Sequence, residues 1–199
     1  LAAAMVKISR FRGKGEFFDP FCGSGTFLIE AAYKAKNIAP GIYRRFAAEK
    51  WDSLPSKIWQ SGREEAIEGV RKDIEFVAFG SDISEEALEI SEANARRAGI
   101  AGLIRLEKCD VKEFVVPAEK SLIVTNPPYG ERLMAGEDLS ALYRTMGSVF
   151  QPSQQTAYYI ISSAEDFEQS FGRHADKKRK LYNGMLKCNL YQYLAQRNK

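Results

Sequence analysis

The sequence predicts an α/β fold with a mostly parallel seven-stranded sheet and an antiparallel hairpin at its C-terminal end. Short apolar runs of strand length alternate with segments of helical periodicity, which favours a parallel sheet with helices on both faces. The last two strand-like runs instead flank an Asn-Gly pair, which is typical of a tight antiparallel hairpin. With 199 residues, 45% of them hydrophobic, the chain is long enough for one well-packed core, so we expect residues 1–199 to form a single domain.

The first half of the chain predicts strands and helices that alternate around a long insertion. After a helical opening and a basic turn, residues 16–19 form a short strand, and a glycine loop leads into a helix from about Ser24 to Lys36. Residues 37–75 are rich in charged and aromatic residues and predict a helical excursion. The strand FVAFGSD and the helix SEEALEISEANARRAG follow, with Ser84 as the helix N-cap and Gly99 as its end.

The second half predicts the remaining strands. LIRLEKCD and SLIVTN are short apolar runs that each end in a polar residue, and a helix over about residues 139–150 precedes the strand TAYYIISS. The segment KRKLYNGMLKCNLYQYLA predicts the terminal hairpin. We place its two-residue type I′ turn at Asn183-Gly184.

Composition excludes several classes of protein. No apolar run approaches the about 20 residues of a membrane span, and the opening segment is a poor signal peptide, so we expect a cytoplasmic protein with no membrane partner. Cys22, Cys109 and Cys188 lie far apart, with only His174 to join them. We therefore expect reduced thiols and no metal site. The net charge of +3 permits a nucleic-acid partner without requiring one.

The N-terminus suggests that the chain is a C-terminal fragment of a longer protein, because it begins with Leu1 and enters in the middle of a helical pattern. Two basic stretches stand out. Residues 7–14 carry four cations before the first strand, and we interpret them as a solvated turn at the edge opposite the carboxyl ends of the strands. The run KKRK at 177–180 is interpreted as a charged edge strand that protects against aggregation.

A candidate ligand site is indicated by the polar residues that end four predicted strands, which are Asp19, Asp82, Asp110 and Asn126. Ligands of open parallel sheets bind beyond the carboxyl ends of the strands. The loop DPFCGSGT places Gly23 and Gly25 where the backbone would approach a ligand closely, with the N-terminus of the next helix directed at it. The repetition of acidic strand ends around one glycine loop therefore predicts a cofactor site.

Details of the loop separate three classes of cofactor. A phosphate-binding P-loop requires Gly-Lys-Ser/Thr, but Thr26 and Phe27 follow Gly25, and a dinucleotide-binding loop requires a third glycine near Leu28. Asp19 would repel a phosphate. It suits a ligand that carries an ammonium and a sulfonium, as S-adenosylmethionine does.

The other strand ends complete this prediction. Asp82 is the expected acceptor for two ribose hydroxyls, Ile83 can pack on a purine ring, and Asp110 can accept a hydrogen bond from an adenine amine. Further candidate cofactor contacts flank these residues or follow the fourth strand, and they are Pro20, Cys22, Thr26, Val111 and Asn126.

The motif TNPPYG after the fourth strand predicts the catalytic residues. The exocyclic amine of a base is a poor nucleophile, and the Asn126 side-chain oxygen and the Pro127 carbonyl can accept its two hydrogens, which turns its lone pair toward a methyl donor. Successive prolines fix the direction of that carbonyl. Tyr129 then offers a ring on which a flipped base can stack, and Gly130 leaves room for the chain to turn.

Several of these segments together resemble a known family. DPFCGSGTFLIEAA, GSDISEEALEISEANARRAGI, CDV, TNPPYGERL and RKLYNGMLKCNLYQY occur in this order and are similar to the THUMP-associated RNA guanine-N2 methyltransferases, above all their ribosomal RNA large-subunit branch. The resemblance implies a class I, Rossmann-like fold, S-adenosylmethionine as cofactor and methylation of the guanine N2 amine.

By the same resemblance, the cofactor-binding positions are Asp19, Gly23, Gly25, Asp82 and Asp110, and the catalytic positions are Asn126, Pro127 and Tyr129. The chain corresponds to the catalytic domain only, without the RNA-binding THUMP region that usually precedes it. We therefore expect RNA, most of all ribosomal RNA, as a partner that the chain alone binds weakly.

Other functions remain open at this point. The same Asn-Pro-Pro-Tyr turn can act on the N6 amine of adenine in DNA or RNA, or on a glutamine amide in a protein, because each presents a planar nitrogen. A catalytically inactive module of the same fold, which binds RNA or a protein, is the alternative outside enzymes. Such a module would be expected to lack Asp82 or Asn126, and both are present.

Overall fold

The computed structural model of the protein describes residues 1–117, 119–129 and 139–196. Within this part of the chain the strands are β1 (Glu16–Asp19), β2 (Ala78–Asp82), β3 (Ile104–Lys108), β4 (Ser121–Thr125), β5 (Thr156–Ser162), β6 (Lys177–Asn183) and β7 (Leu186–Tyr193). The α-helices are α1 (Ala2–Ile8), α2 (Thr26–Lys36), α3 (Ser56–Glu68), α4 (Glu85–Arg97), α5 (Leu139–Val149) and α6 (Phe167–Phe171). Three short 3-10 helices lie at Ala47–Lys50, Ala101–Leu103 and Val111–Glu113.

The seven strands of the described residues form one sheet in the order β3-β2-β1-β4-β5-β7-β6. The first five strands of this order run parallel to one another, and β7 pairs antiparallel with both β5 and β6. The predicted fold class is confirmed. The order reverses between β1 and β4, which makes the carboxyl ends of these two strands the topological switch point of the sheet.

Two hydrophobic clusters cover the two faces of this sheet. Successive residues of β5 alternate between them, because side chains of a strand point to opposite faces. Tyr159 and Ile161 pack in the cluster that includes residues of α1 and α2. Tyr158 and Ile160 pack in the cluster that includes residues of α5 and α6. Burial on both faces explains why β5 is a nearly continuous apolar run in the sequence.

The terminal hairpin forms, but its turn differs from the predicted one. Asn183 pairs with Leu186, so the two-residue loop is Gly184-Met185 rather than Asn183-Gly184. Gly184 has a φ of +63°, and Met185 does not have a positive φ. A positive φ at the first loop position alone is typical of a type II′ turn. Asn183 is therefore a strand residue rather than a turn residue, and its side chain does not take part in the turn.

Helix boundaries lie close to the predicted ones. Ser84 caps α4 as expected, since its side-chain oxygen accepts a hydrogen bond from the Ala87 N–H at 3.2 Å. Helix α2 begins two residues later than predicted, because Gly25 precedes it in a left-handed conformation. None of the described helices combines the length and the hydropathy that a membrane span requires.

Candidate active site

A cavity of about 690 Å³ lies beyond the carboxyl ends of β1, β2 and β4. It is lined by ten of the eleven predicted cofactor-binding residues, which are Asp19, Pro20, Cys22, Gly23, Thr26, Asp82, Ile83, Asp110, Val111 and Asn126. These residues are separated by up to 107 positions in the sequence. The fold therefore brings the predicted strand-end residues together around one space at the switch point of the sheet.

Asp19 is the most buried charge-bearing group of the site, with 1% of its surface exposed. Its Oδ1 accepts hydrogen bonds from the Thr125 hydroxyl at 2.7 Å and from the Phe21 N–H at 3.2 Å. Burial raises the pKa of Asp19 to about 7, the charge of Asp82 adds to this, and the two hydrogen bonds oppose it. Its Oδ2 is buried and has no hydrogen-bond partner among the described residues.

Asp82 joins the glycine loop to the start of α4. Its Oδ2 accepts a hydrogen bond from the Gly23 N–H at 3.0 Å, and its Oδ1 accepts one from the Ser84 N–H at 3.0 Å. A carboxylate oxygen can accept more than one hydrogen bond, so both oxygens keep capacity for ligand hydroxyls. Ile83 beside it is 66% exposed and presents an apolar surface at the cavity wall.

Gly25 is the one predicted cofactor residue that does not line the cavity. It has a φ of +76°, and a Cβ at this position would lie 2.2 Å from the Ser91 Oγ on α4. The absence of a side chain thus allows α4 to pack against the start of α2. Asn94 of α4 also donates a hydrogen bond to the Ser24 carbonyl at 3.0 Å. Gly25 therefore shapes the loop and lies outside the cavity lining.

Asp110 lies two residues beyond the end of β3, where it caps the 3-10 helix Val111–Glu113. The Lys112 N–H donates to its Oδ1 at 3.0 Å, and the Lys112 ammonium lies 3.1 Å from its Oδ2. These contacts, the backbone hydrogen bond first, hold the pKa of Asp110 below its usual range. The residue is therefore an ionised acceptor at the rim of the cavity.

The Asn-Pro-Pro segment after β4 forms another part of the cavity wall. Asn126 and Pro128 line it, whereas Pro127 is buried behind them. The Asn126 Oδ1 is buried and has no hydrogen-bond partner among the described residues. Tyr143 of α5 braces the turn, since its hydroxyl donates to the Pro128 carbonyl at 3.4 Å and lies 3.0 Å from the Ser162 Oγ.

The sequence predicts that the Tyr129 ring offers a face to a flipped base. The structure instead buries this side chain. Only 2% of the residue is exposed, and it belongs to the hydrophobic cluster. Its hydroxyl accepts a hydrogen bond from the Asn183 Nδ2 at 3.0 Å, and the Cys188 Sγ lies 3.8 Å away. The terminal hairpin thus holds the last described residue of the TNPPYG motif. Gly130 lies outside the described residues.

Three supporting residues escaped sequence analysis because they act through others. Thr125 bonds Asp19, Ser91 packs against Gly25, and Tyr143 braces Pro128. Thr125 directly precedes Asn126, so its place at a strand end was a usable signal. Ser91 and Tyr143 are ordinary helix positions in the sequence, and only the packing of α4 and α5 reveals them.

The arrangement fits a cationic nucleoside ligand. Two buried oxygens without partners among the described residues, Asp19 Oδ2 and Asn126 Oδ1, belong to residues that line the cavity, and buried acceptors are normally hydrogen-bonded. Burial withdraws the Asp19 carboxylate from water and raises its pKa, so a positive charge beside it would be favourable. In the described part of the chain, no cluster of three metal-binding side chains is present.

Comparisons with known proteins find similar methyltransferase sequences. The family described as UPF0020, RMKL-like, methyltransferase domain, matches residues 1–192. "Putative RNA methyltransferase YpsC" of Bacillus subtilis is 42% identical over 193 residues, which are 97% of this chain and 50% of that protein. "Ribosomal RNA large subunit methyltransferase K/L" of Psychromonas ingrahamii is 37% identical over 201 residues, 97% of this chain and 27% of that protein.

Solved structures show the same fold. "SMU.472, a putative methyltransferase complexed with SAH" superimposes with a TM-score of 0.94 at 42% identity, over 100% of this chain and 52% of the other. A "predicted N6-adenine-specific DNA methylase" from Listeria monocytogenes superimposes with a TM-score of 0.89 at 40% identity, over 98% and 50% of the two chains. The chain spans about half the length of these structures and half or less of the curated relatives.

Proposed function

Since the chain belongs to the UPF0020 family of RMKL-like methyltransferase domains, we propose that it methylates the exocyclic N2 amine of a guanine in RNA, with S-adenosylmethionine as the methyl donor. Ribosomal RNA is the expected substrate, in keeping with the names of its relatives. The observation that carries the proposal is the convergence of Asp19, Asp82, Asp110 and Asn126 on one cavity.

Four residues of the cavity would contact different groups of the cofactor. Asp19 accepts from the ammonium and, with its burial, favours a cationic ligand over a phosphate. Asp82 accepts from the ribose hydroxyls with the oxygens that already hold Gly23 and Ser84. Ile83 packs on the purine, and Asp110 accepts from its amine. When bound, S-adenosylmethionine supplies an electrophilic methyl group on a sulfonium.

Asn126 prepares the nucleophile. Its Oδ1, which lacks a partner among the described residues, accepts one hydrogen of the target amine, and the Pro127 carbonyl accepts the other. This turns the lone pair of the nitrogen toward the methyl group, and a proton leaves the methylated amine for solvent. In-line positioning of this kind can supply on the order of 7–11 kcal/mol, and the bracing of Pro128 by Tyr143 keeps the turn in place.

In this proposal Tyr129 has a structural role and does not stack on the target base. Because the residue is buried and its hydroxyl accepts from Asn183, we propose that it anchors the Asn-Pro-Pro turn to the terminal hairpin. The stacking surface for a base then has to come from another part of the site.

A second candidate is methylation of the N6 amine of adenine, which the name of the Listeria structure favours. Asn126 would hold that amine in the same way. The two are separated by supplying labelled S-adenosylmethionine with ribosomal RNA, transfer RNA, DNA and protein pools, and by identifying the labelled nucleoside by mass spectrometry. Label in N2-methylguanosine supports the proposal, whereas label only in N6-methyladenine or in protein contradicts it.

A further inference from the structure

A second cavity, of about 760 Å³, lies between α1 and the edge strand β6 and shares no lining residue with the candidate active site. It is bounded by α1 and the turn after it, by the beginning of β6 and by the end of β7. Tyr159 and Gln192 line it together with five cations, which are Lys7, Arg10, Lys177, Lys178 and Arg179. No carboxylate is among the described residues that line it.

The fold assembles this charge from two stretches that are about 170 positions apart in the sequence. Lys177 pairs with Gln192 across the hairpin and Arg179 with Leu190, and paired residues of antiparallel strands share a face of the sheet. Leu190 belongs to the cluster that packs against α1. Lys177 and Arg179 therefore point to the side of the sheet on which Lys7 and Arg10 lie.

Four of the five cations make no ion pair with a residue that the structure describes. Lys178 points to the other face, where its ammonium lies 2.7 Å from Glu168. In the described part of the chain, Lys7, Arg10, Lys177 and Arg179 make no ion pair, and all four are exposed. Like charges that converge without ion-pair partners repel one another, and a bound anion would relieve that repulsion. We call these four residues, with Tyr159 and Gln192, the basic groove.

Arg10 adds an independent observation. It has a φ of +56°, a conformation that costs an arginine of the order of 1–3 kcal/mol and that asparagine or glycine adopts more readily. Its N–H donates to the Lys7 carbonyl at 3.1 Å, which holds the turn after α1. The turn thus keeps a cation at a position where a smaller residue would be less strained.

We propose that the basic groove binds phosphates of the RNA backbone and acts as a remote anchor for the substrate. This inference rests on the proposed function. The groove flanks the edge strand β6, three strands away from β4 in the sheet, which places it roughly 14 Å or more to the side of the Asn126 turn at about 4.8 Å between neighbouring strands. A folded RNA spans this distance. The groove therefore contributes to RNA affinity and does not touch the reacting nucleotide.

The test neutralises the four groove cations together, as Lys7→Gln, Arg10→Asn, Lys177→Gln and Arg179→Gln. Asparagine at position 10 suits the positive φ, so the fold is kept. Binding is measured by fluorescence anisotropy with a fluorescein-labelled RNA hairpin in a salt series. Each engaged phosphate contributes about 0.7–0.9 to the slope of log Kd against log salt, so we expect the slope to fall by about 3 and the Kd at about 50 mM salt to rise at least about tenfold.

A matched control separates the groove from net charge. Neutralising four exposed cations of the excursion, namely Lys50, Lys57, Arg71 and Lys72, removes the same charge and should change the RNA Kd far less. Equal losses in the two variants, or an unchanged slope in the groove variant, would overturn the proposal.

Methyl transfer distinguishes failure of the groove from failure of the proposed function. The groove variant should bind S-adenosylhomocysteine as the unchanged chain does and should methylate RNA at an unchanged single-turnover rate once RNA is saturating. If the unchanged chain methylates RNA but the groove variant keeps its RNA affinity, only the groove inference fails. If neither the unchanged chain nor the groove variant methylates RNA, the proposed function fails. The anisotropy measurement still shows whether the basic groove binds RNA.

Discussion

The buried carboxyl group of Asp19 should make the ligand-free protein less stable as the pH rises. The folded state raises the pKa of Asp19 from an ordinary value of 3.8 to about 7, chiefly through burial. Between these two values the folded protein binds more protons than the unfolded chain does. The free energy of unfolding therefore falls as the pH rises from about 4 to about 7, and the Asp19 contribution then levels off.

The size of this effect follows from the shift. About three units of pKa, at 1.36 kcal/mol each, correspond to about 4 kcal/mol lost above pH 7 relative to pH 4. In Asp19→Asn the side chain keeps an oxygen that can accept from Thr125 and Phe21 but carries no proton to lose. The variant should match the wild type near pH 4 and exceed its stability by up to about 4 kcal/mol at about pH 8.

Urea unfolding of the ligand-free protein at several pH values measures this difference, and groups common to both proteins cancel in it. Thr125→Val is the matched second variant. The Thr125 hydroxyl favours the ionised form of Asp19, so its removal should raise that pKa further and move the loss of stability to higher pH. Parallel pH profiles of the wild type and Asp19→Asn would refute the assignment of a raised pKa to Asp19, and with it the argument that this site favours a cation.

Three further substitutions test the site. Asn126→Ala should leave the affinity for S-adenosylmethionine, measured by calorimetry, nearly unchanged. It should lower the single-turnover rate of methyl transfer by more than about tenfold, because the amide acts on the target amine. A smaller loss of rate would tell against this role of Asn126. Gly25→Ala should destabilise the fold by about 1–3 kcal/mol in urea, since its Cβ would meet the Ser91 Oγ at 2.2 Å, and Ser91→Ala in the same chain should restore part of the loss. Asn183→Ala and Tyr129→Phe should each cost about 1 kcal/mol and should couple in a double-mutant cycle, whereas additive losses would exclude their hydrogen bond as a stabilising contact.

Much of the fold was predictable because buried strands are apolar runs in the sequence and the polar residues after them mark where they end. The apolar runs predicted all five parallel strands, and the signal is strongest for β4 and β5, whose faces are both covered. The hairpin turn was misplaced by one residue, because an Asn-Gly pair favours a type I′ turn but the register here places Asn183 opposite Leu186. That register also lets Asn183 reach Tyr129, a contact between distant segments that no local pattern encodes.

The candidate site was predictable to the extent that it depends on topology. Strand ends of a parallel sheet meet at one edge, so Asp19, Asp82 and Asn126 could be grouped before the fold was known. The parts that depend on packing were not. Gly25 spaces two helices rather than facing the cavity, and the burial of Tyr129 results from its contacts with the hairpin.

Isothermal titration of S-adenosylmethionine into the wild type and Asp82→Ala tests the central claim most directly. If the cavity at the switch point holds this cofactor, the wild type binds it, and loss of the Asp82 carboxylate weakens binding by roughly 1.5–3 kcal/mol, the range for hydrogen bonds to a charged group. Absence of binding to the wild type, or an affinity that Asp82→Ala leaves unchanged, would contradict the claim that these strand ends form the cofactor site.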